Sequence, residues 1–395
     1  MEIINKIAFL VHEPVMYAHY SSVWAQMKKE DFVIVLLLRC EIGLDGDGQN
    51  DVKAFIDEID RLGYEVDYFS EIVNRGDKYK YVVSNHCMGK IPPSRLEILM
   101  YKIKKLSIRT FNSVGVLWHR KKQSMVRRPV HYLPLQIGVK QIRFMYGADI
   151  GDGWSLQGWN RMYDLFLCHG PNDVAELKKR FEGKTEIMGY PRYDEYFNQN
   201  LDTSGVVKEF GIDPAKKTIL WMATAGEGAC SIPHFAESIS GLMKKFNVIV
   251  RPHPLSFRAE PEYIDLLRSL NYTIDSNPLR DMNKLYKAVD VVLCDYGGSS
   301  FGAIYLDKKL ILLDVENAES FFTVINSSNL QLRNYFPVIR PEESCNISSL
   351  IDDEQLWDDQ IDIRRMLFSK YFADNRGESS RRAAEILSNL DVILN

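Results

Sequence analysis

The most informative absence in the sequence is local. No Asp or Glu occurs from Tyr101 to Ala148, although this stretch carries eleven Lys or Arg. Over the whole chain, 49 Lys+Arg and 53 Asp+Glu give a net charge of −4. A near-neutral total provides no chain-wide attraction for nucleic acid, so no nucleic-acid partner is expected. The basic block 101–148 predicts contact with an anionic membrane surface or a charged glycan, and a solvated basic face is the alternative.

Closely spaced cysteines and long apolar runs are also missing. The six cysteines include no CxxC pair and no His at zinc-finger spacing, so no metal site is expected. Dispersed cysteines fit a reducing compartment. No apolar run reaches the ~20 residues of a membrane span, and the first residues lack the pattern of a signal peptide. These features predict a cytoplasmic protein, peripheral at most on the inner membrane face.

Short apolar runs alternate with helical patterns throughout, which is typical of βαβ units with parallel sheets. The first half has seven predicted strands and three helices. The strands are Ile7–Val11, Val33–Leu38, Val66–Phe69, Val114–Trp118, Gln141–Met145, Leu165–Cys168 and Glu186–Met188, and the helices are Met16–Lys28, Asp51–Leu62 and Ser94–Ile108.

The second half repeats this alternation. Its predicted strands are Thr218–Ala223, Val248–Arg251, Tyr272–Ile274, Val291–Cys294 and Leu310–Leu313, and its helices are Pro233–Lys245, Pro261–Ser269, Met282–Val289 and Ser300–Leu306. A last helix is predicted over Glu378–Leu394.

The fold class predicted from this order is α/β, with two Rossmann-like domains that face a cleft. We expect domains at 1–200 and 209–375, joined by a polar linker at Asn198–Lys208. The helical segment 376–395 is expected to pack back on the first domain. In open α/β sheets, ligands bind outside the carboxyl ends of the strands, which directs attention to the segments that follow each strand.

Two motifs of the second half follow strands. Arg251-Pro252-His253-Pro254 supplies donors suited to a phosphate on a stiff turn, although the His could equally cap a loop. Asp295-Tyr296-Gly297-Gly298-Ser299-Ser300 joins a strand to a helix. Its glycines favour close approach of an anion, whereas a plain N-cap serine is the alternative.

Weaker candidates complete the set. Thr224–Gly228, with Gly226, fits a ligand loop or a simple turn. Tyr146–Gly153 places Asp149 and Asp152 after a strand, where a carboxylate could act as general base on a hydroxyl or merely form an acidic surface turn. No third acidic ligand for a divalent cation stands nearby. Gly189–Asp194 predicts a tight turn leading to the second half.

Three of these segments resemble, in their order, the CDP-glycerol glycerophosphotransferase family of teichoic-acid and capsule enzymes. They are GYPRYD at Gly189–Asp194, RPHP at Arg251–Pro254 and the stretch Leu285–Asp314, and the resemblance spans roughly Gln141 to Asp314. Members are two-domain glycosyltransferase-B proteins. The resemblance implies a transferase that moves a sugar or alditol-phosphate group from a nucleotide-linked donor, most simply a cytidine one, to a cell-surface glycan or lipid-linked acceptor. The donor is a substrate, and no cofactor is expected.

The resemblance also implies roles for individual residues. The family's RPHP residues and those after its Asp-Tyr engage the donor phosphates, which nominates Arg251, His253, Gly298, Ser299 and Ser300. We add Gly226 and Gly297 to the donor-binding set, and we assign Tyr146 and Arg192 to the acceptor. Asp149, Asp152 and His253 are the catalytic candidates.

The sequence departs from the family pattern in two places. The family's presumed base is the His of a His-Gly-Thr-Pro segment, and the matching place here reads Tyr146-Gly147-Ala148-Asp149. The family's Asp-Tyr-Ser-Ser is here Asp-Tyr-Gly-Gly. The acid–base group is therefore expected to differ from the family's.

Three alternatives follow from these departures. The Gly-Gly variant is similar to the Asp-Ser-Gly-Gly loop of UDP-N-acetylglucosamine 2-epimerases. His253-Pro254 and Ser299-Ser300 resemble motifs of sialyltransferases that use a CMP-sugar. The missing His also allows a non-catalytic binding protein of the same fold.

Overall fold

The computed structural model of the protein describes residues 2–37, 49–91, 100, 131–152, 155–321 and 323–395. Within these residues the strands form two parallel sheets and one small antiparallel pair. The strands are β1 (Ile3–Val11), β2 (Phe32–Leu36), β3 (Val66–Tyr68), β4 (Lys78–Ser84), β5 (Lys90–Ile91), β6 (His131–Tyr132), β7 (Gly138–Phe144), β8 (Leu165–Cys168), β9 (Lys184–Ile187), β10 (Thr218–Ala223), β11 (Asn247–Pro252), β12 (Thr273–Ile274), β13 (Val291–Cys294), β14 (Lys309–Leu313) and β15 (Val338–Ile339).

Helices cover the sheets. They are α1 (Tyr17–Trp24), α2 (Gln49–Leu62), α3 (Phe69–Arg75), α4 (Pro134–Ile137), α5 (Pro171–Lys178), α6 (Ser204–Phe210), α7 (Ile232–Ser240), α8 (Ser256–Ala259), α9 (Pro261–Ser269), α10 (Met282–Lys287), α11 (Ser299–Tyr305), α12 (Ser328–Leu332), α13 (Ile347–Asp352), α14 (Glu354–Tyr371), α15 (Ser379–Ser388) and α16 (Leu390–Leu394). Segments of 3-10 helix occupy Pro14–Met16, Lys29–Asp31, Gly158–Met162, Pro191–Phe197, Gly241–Lys244, Ala318–Ser320 and Pro341–Asn346. Among the described residues, no helix is both long and apolar enough to cross a membrane.

Apart from a seventh strand at one edge of the first sheet, the two parallel sheets have the same strand order. The first runs β3-β2-β1-β4-β7-β8-β9, and the second runs β12-β11-β10-β13-β14-β15. In each sheet the strand order reverses once, between β1 and β4 and between β10 and β13. Ligands of such sheets bind beside this reversal, at the carboxyl ends of the strands. The central strands are buried along their apolar runs, as parallel strands covered on both faces must be.

The predicted α/β class with two parallel sheets is confirmed, and all five strands predicted for the second half are present. Other element predictions are corrected. The predicted linker Asn198–Lys208 overlaps α6, which begins at Ser204, buries Val206 and is followed by Gly211 with φ +61°. Strand β4 and helix α14 were not predicted. The helix Ser94–Ile108, the strand Val114–Trp118 and most of the basic block lie outside the described residues, and the exact domain bounds stay a prediction.

The last helices belong to the core of the first half. Buried residues of α15 and α16, among them Ala383, Ile386 and Leu390, pack with the apolar face of the first sheet. The chain returns beside β8, where the Ala373 N–H donates to the His169 carbonyl at 3.0 Å. Gly170 lies under this return, since a Cβ at Gly170 would stand 2.5 Å from the Phe372 Cα. The first half therefore needs the end of the described chain to complete its core.

A candidate active site between the two sheets

The candidate site lies where loops after the strands of both sheets contact each other. The loop 149–152 follows β7, and it packs against residues 326–329 beyond β14. Ser328 donates its backbone N–H to the Ile150 carbonyl at 2.8 Å, and a Cβ on Gly151 would lie 2.9 Å from the Ser327 Cα. We call these segments the loop pair 149–152/326–329. It fixes the acidic loop of the first half against the second half.

Asp295 organises the loops of the second half at the strand reversal. Its buried carboxylate accepts hydrogen bonds from the N–H groups of Thr224 (2.9 Å), Ser231 (2.9 Å) and Tyr296 (2.8 Å), and from the Ser231 hydroxyl (2.8 Å). Burial raises the pKa of Asp295, and the hydrogen bonds from Ser231, Thr224 and Tyr296 act against that shift. The Asp of the Asp-Tyr-Gly-Gly segment is thus a structural anchor that holds the loop after β10 beside the loop after β13.

His253 is solvent-accessible at the end of β11. Its Nδ1 accepts the Leu255 N–H at 3.1 Å, so the neutral ring carries its proton on Nε2. The surrounding protein lowers the pKa of His253 by desolvation, while the carboxylates of Glu13 and Glu260 oppose this shift. Glu13 follows β1 of the first half. His253 can therefore donate a hydrogen bond from Nε2 without a positive charge.

Arg251 is already engaged within the protein. Its side chain is 7% exposed, and its Nη1 donates to Asp275 and to the Asn277 carbonyl at 3.2 Å. Burial lowers the pKa of Arg251, whereas Asp275 raises it. The structure thus gives Arg251 a carboxylate partner, and its role in donor binding stays a prediction.

The glycines near the site differ in what surrounds them. Gly226 has φ +109° and donates its N–H to Glu260 at 2.7 Å, and a Cβ there would lie 2.6 Å from the Phe321 ring. The space beside Gly226 is therefore filled by Phe321 rather than open to a ligand, and donor binding by Gly226 stays a prediction without support from this geometry. An added Cβ on Gly298 meets no heavy atom within 4 Å, so the backbone there can be approached.

Ser299 and Ser300 begin α11 and do not cap it. Gly298 is the N-cap residue, and no side chain accepts a hydrogen bond at this end. Ser299 is partly exposed and Ser300 is buried. The capping alternative for these serines is thus absent, and Ser299 is the one whose side chain retains access to solvent.

Asp149 is partly exposed and joins the acidic loop to the donor-side loop through Asn329. The Asn329 N–H donates to Asp149 Oδ1 at 3.1 Å, and Asn329 Nδ2 donates to the Gly297 carbonyl at 2.7 Å. Burial raises the pKa of Asp149 to about 7, against hydrogen bonds from Asn329, Ser327 and Ser328 that lower it. A carboxyl group that titrates near pH 7 is suited to general acid–base catalysis.

Asp152 lies in the same loop but has different surroundings. Its carboxylate is 37% exposed, pairs with Arg180 at 2.5 Å and accepts from Asn326 Nδ2 at 3.0 Å. Both oxygens are therefore engaged at the surface of the loop pair. The structure therefore distinguishes Asp149 from Asp152 by their surroundings, whereas nothing in the sequence favours either as the base.

Tyr146 and Arg192, the two acceptor candidates, meet through a third residue. Arg192 Nη1 lies 3.2 Å from His19 Nε2, and the His19 ring packs edge-on against the Tyr146 ring with centroids 5.5 Å apart. The Tyr190 hydroxyl donates to the Tyr146 carbonyl at 3.4 Å. His19 was not singled out from the sequence, because nothing near it in the chain signals a partner 173 residues away.

Two further histidines at the strand reversal of the first sheet also went unpredicted. His12 follows β1 and His86 follows β4, and their Nε2 atoms are 3.0 Å apart. His86 Nδ1 accepts the Met88 N–H at 2.9 Å, so His86 donates from Nε2 to His12. Burial, and next the nearby His12, lower the pKa of His86 to about 3. No group of three His, Cys, Asp or Glu able to hold a metal occurs among the residues the structure describes.

Comparison with known proteins identifies what this arrangement is similar to. The family model described as CDP-Glycerol:Poly(glycerophosphate) glycerophosphotransferase matches residues 94–389. No curated protein sequence matches the chain. A structure of the wall teichoic acid polymerase TagF, from a variant soaked with CDPG, superposes with a TM-score of 0.61 at 12% identity, covering 100% of this chain and 90% of that one.

Two further solved structures share the fold. A UDP-N-acetylglucosamine 2-epimerase superposes with a TM-score of 0.55 at 13% identity, covering 100% of this chain and 98% of that one. The S. aureus MnaA–UDP structure superposes with a TM-score of 0.55 at 12% identity, covering 99% of this chain and 98% of that one. At such identities the likeness concerns the fold alone, and it confirms the glycosyltransferase-B type of architecture.

Proposed function

Since the chain belongs to the CDP-glycerol:poly(glycerophosphate) glycerophosphotransferase family, we propose that it transfers glycerol phosphate from CDP-glycerol to a hydroxyl group of a cell-surface glycan or lipid-linked acceptor. The family makes the chain a transferase that uses a nucleotide-linked substrate. The cytidine donor, the alditol and the acceptor are the proposed part.

One observation supports this assignment above the others. Asn329 bonds both to Asp149, in the loop after β7, and to the Gly297 carbonyl, in the loop after β13. Asn329 thereby links a potential base on the first half to a loop of the second half. The backbone of that loop is accessible at Gly298, where an added Cβ would meet no atom within 4 Å. A base on one side and an anion-accessible loop on the other is what hydroxyl attack on a phosphate ester requires.

The proposed reaction is an in-line displacement at phosphorus. The acceptor oxygen forms a bond to the β-phosphorus of CDP-glycerol, the bond from that phosphorus to the oxygen bridging to the α-phosphate breaks, and CMP leaves with the bridging oxygen. The hydroxyl proton passes to the Asp149 carboxylate. Charge that builds on the leaving phosphate is stabilised by hydrogen-bond donors, as in other phosphoryl transfers.

His253 is proposed to supply one of these donors. Its Nε2–H is present in the neutral ring because Nδ1 accepts the Leu255 N–H. The backbone N–H groups of Ser299 and Ser300, at the start of α11, have no acceptor within that helix and are the proposed second set. Arg251 contributes mainly by keeping β11 in place through Asp275.

Asp149 is preferred over Asp152 as the base. Asp149 has a pKa raised to about 7, whereas both oxygens of Asp152 are engaged by Arg180 and Asn326. Asp149 lies three residues after Tyr146, which stands at the place where the family resemblance expects a His. A carboxyl group with a pKa near 7 replaces an imidazole in acid–base function, because both exchange a proton near neutral pH.

The test compares Asp149→Asn, Asp152→Asn and His253→Gln, with CMP release from CDP-glycerol measured in the presence of poly(glycerophosphate). Loss of the base lowers kcat by about 10²- to 10⁴-fold, so we expect this for Asp149→Asn and at most a small change for Asp152→Asn. His253→Gln is expected to lower kcat, with CMP affinity reduced. Near-normal turnover in Asp149→Asn removes the assignment of the base, and no transfer by the wild-type protein on any alditol acceptor removes the proposed reaction.

The basic block 101–148 is proposed to bring the enzyme to an anionic membrane surface, where a lipid-linked acceptor is presented. Vesicles with and without anionic lipid, each at low and high salt, test this. Binding that needs anionic lipid and falls with salt is expected, because the interaction is screened. Equal binding to neutral vesicles contradicts it.

A further inference from the structure

Arg192 is fixed at the point where three helices of both halves meet. The carbonyl before it, on Pro191, accepts hydrogen bonds from Ser22 of α1 at 3.2 Å and Ser380 of α15 at 3.3 Å. The Arg192 carbonyl itself accepts from Asn283 of α10 at 3.1 Å. The side chain therefore starts from a backbone position that cannot shift without disturbing all three helices.

The guanidinium is oriented by His19, which also lies on α1. His19 is 4% exposed, and its Nε2 lies 3.2 Å from Arg192 Nη1. Burial, and next the charge of Arg192, lower the pKa of His19 well below its usual value. His19 is consequently neutral and accepts the Arg192 hydrogen bond at Nε2, while the edge contact with Tyr146 limits rotation of its ring.

The positive charge of Arg192 is not neutralised by the protein. Among the described residues, no carboxylate forms an ion pair with Arg192, and its buried Nε has no hydrogen-bond acceptor there. Arg251 is near enough for the charge of Arg192 to lower its pKa, and the charge of Arg251 is already matched by Asp275. Arg192 is half-buried, and a half-buried guanidinium without a carboxylate partner favours an anion from outside the chain.

We infer that Arg192, held in place by His19, forms a subsite for a phosphate group between the two sheets, near Arg251. Arg192 contacts the anion, and the planar guanidinium suits bidentate contact with two phosphate oxygens. His19 is a positioning residue that acts through Arg192. The identity of the molecule that carries the phosphate rests on the proposed function, whereas the subsite itself does not.

Direct binding tests the subsite without any need for turnover. Affinities for inorganic phosphate and for CMP are measured by thermal shift and calorimetry on wild type, Arg192→Gln, Arg192→Lys, His19→Leu and His19→Gln. The exposed Arg365, paired with Asp362 on the surface, provides the control Arg365→Gln. Circular dichroism and the urea midpoint confirm that each variant is folded.

The expected outcome separates charge, orientation and fold. Arg192→Gln and His19→Leu weaken binding of at least one probe by about 10- to 100-fold, the value of a lost charge-assisted hydrogen bond. Arg192→Lys keeps the positive charge but loses the planar pair of donors, so its affinity for the probe is expected to lie between that of wild type and that of Arg192→Gln. His19→Gln keeps an acceptor for Nη1 and restores most of the affinity that His19→Leu loses. Wild-type affinity for both probes in Arg192→Gln overturns the subsite, and equal defects in His19→Gln and His19→Leu overturn the positioning role.

Steady-state kinetics then distinguish the two sources of the phosphate. A raised KM for CDP-glycerol in Arg192→Lys, with the acceptor KM unchanged, places the donor's phosphate at Arg192. The reverse places a phosphodiester of poly(glycerophosphate) there. If wild type transfers nothing, the proposed reaction fails while the binding measurements still decide the subsite.

Discussion

At the scale of single residues, Asp149 combines a carboxylate with surroundings that make it titrate like a histidine. Burial raises its pKa to about 7. As a base it is active only when ionised, so we expect log kcat/KM to rise with a slope near one below about pH 7 and to level off above it. The pH–rate profile of the wild type checks this, and an acidic limb centred near pH 4 would contradict the role.

The same shift predicts a pH-dependent difference in stability. Because the folded pKa lies above the unfolded value of 3.8, the contribution of the protonated carboxyl is full below about pH 4 and is lost as pH rises through about 7. Asp149→Asn remains neutral and retains an acceptor for the Asn329 N–H. Its free energy of unfolding, relative to wild type, should therefore increase from pH 4 to pH 8 by at most about 4 kcal/mol.

Urea unfolding of both proteins at several pH values measures this difference. Because the carboxylate is partly exposed, the measured value should fall below that limit. A difference that stays constant over this range would show that the pKa of Asp149 is not raised.

Substituting Ala at two different glycines is expected to change the free energy of unfolding in opposite directions. A Cβ on Gly170 would stand 2.5 Å from both the Phe372 Cα and the Tyr371 carbonyl oxygen, so Gly170→Ala should destabilise by about 1–3 kcal/mol. Gly205 in α6 meets no atom within 4 Å, and Gly205→Ala should stabilise by about 0.5–1 kcal/mol. Thermal and urea unfolding of both variants check the pair, and a neutral Gly170→Ala would contradict the close packing of the returning chain.

Residues of the site were predictable from sequence only where a local pattern marks them. His253 and Ser299 follow strands within recognisable motifs, and the structure places them at the carboxyl edge as expected. His19 was missed because its partner Arg192 is 173 residues away. Asn329 was missed for the same reason, since no local pattern connects it with Asp149.

At the scale of elements, the first turn of helix α15 is capped by a carboxylate from a distant part of the chain. Asp194, the last residue of GYPRYD, accepts the N–H of Ser379 at 3.2 Å and that of Ser380 at 2.5 Å. Asp194→Ala should cost about 1–2 kcal/mol, whereas Asp194→Asn keeps an acceptor and should cost less. Urea unfolding distinguishes the two variants, and equal losses would show that capping is not the function of this carboxylate.

Two of the elements missed from sequence, β4 and α14, share a physical cause. Strand β4 begins with Lys78 and Lys80, so its apolar signal is only three residues long although it is a central strand. Helix α14 is 18 residues long, but its charged residues hide the buried Trp357, Leu367 and Phe368. By contrast, the strands of the second sheet have continuous apolar runs, because they are covered on both faces.

At the scale of the whole molecule, the two halves share a core. One apolar cluster contains both Tyr190, in the segment that leads from the first half to the second, and Tyr305 of α11. Phe372 stacks on Tyr190 with ring centroids 5.8 Å apart. We expect calorimetry to show one unfolding transition, with equal calorimetric and van't Hoff enthalpies. Two separated transitions would show that the sheets unfold independently.

The docking of α15 on the first sheet has a consequence for synthesis. The residues that complete the first core lie roughly 190 positions beyond the end of β9, which at 5–20 residues per second is about 10–40 s of translation. Throughout that interval the first half leaves the ribosome with the surface for Ala383, Ile386 and Leu387 uncovered. The first half is therefore synthesised first but completes its core last. Its nascent form presents an apolar patch to chaperones until α15 and α16 emerge.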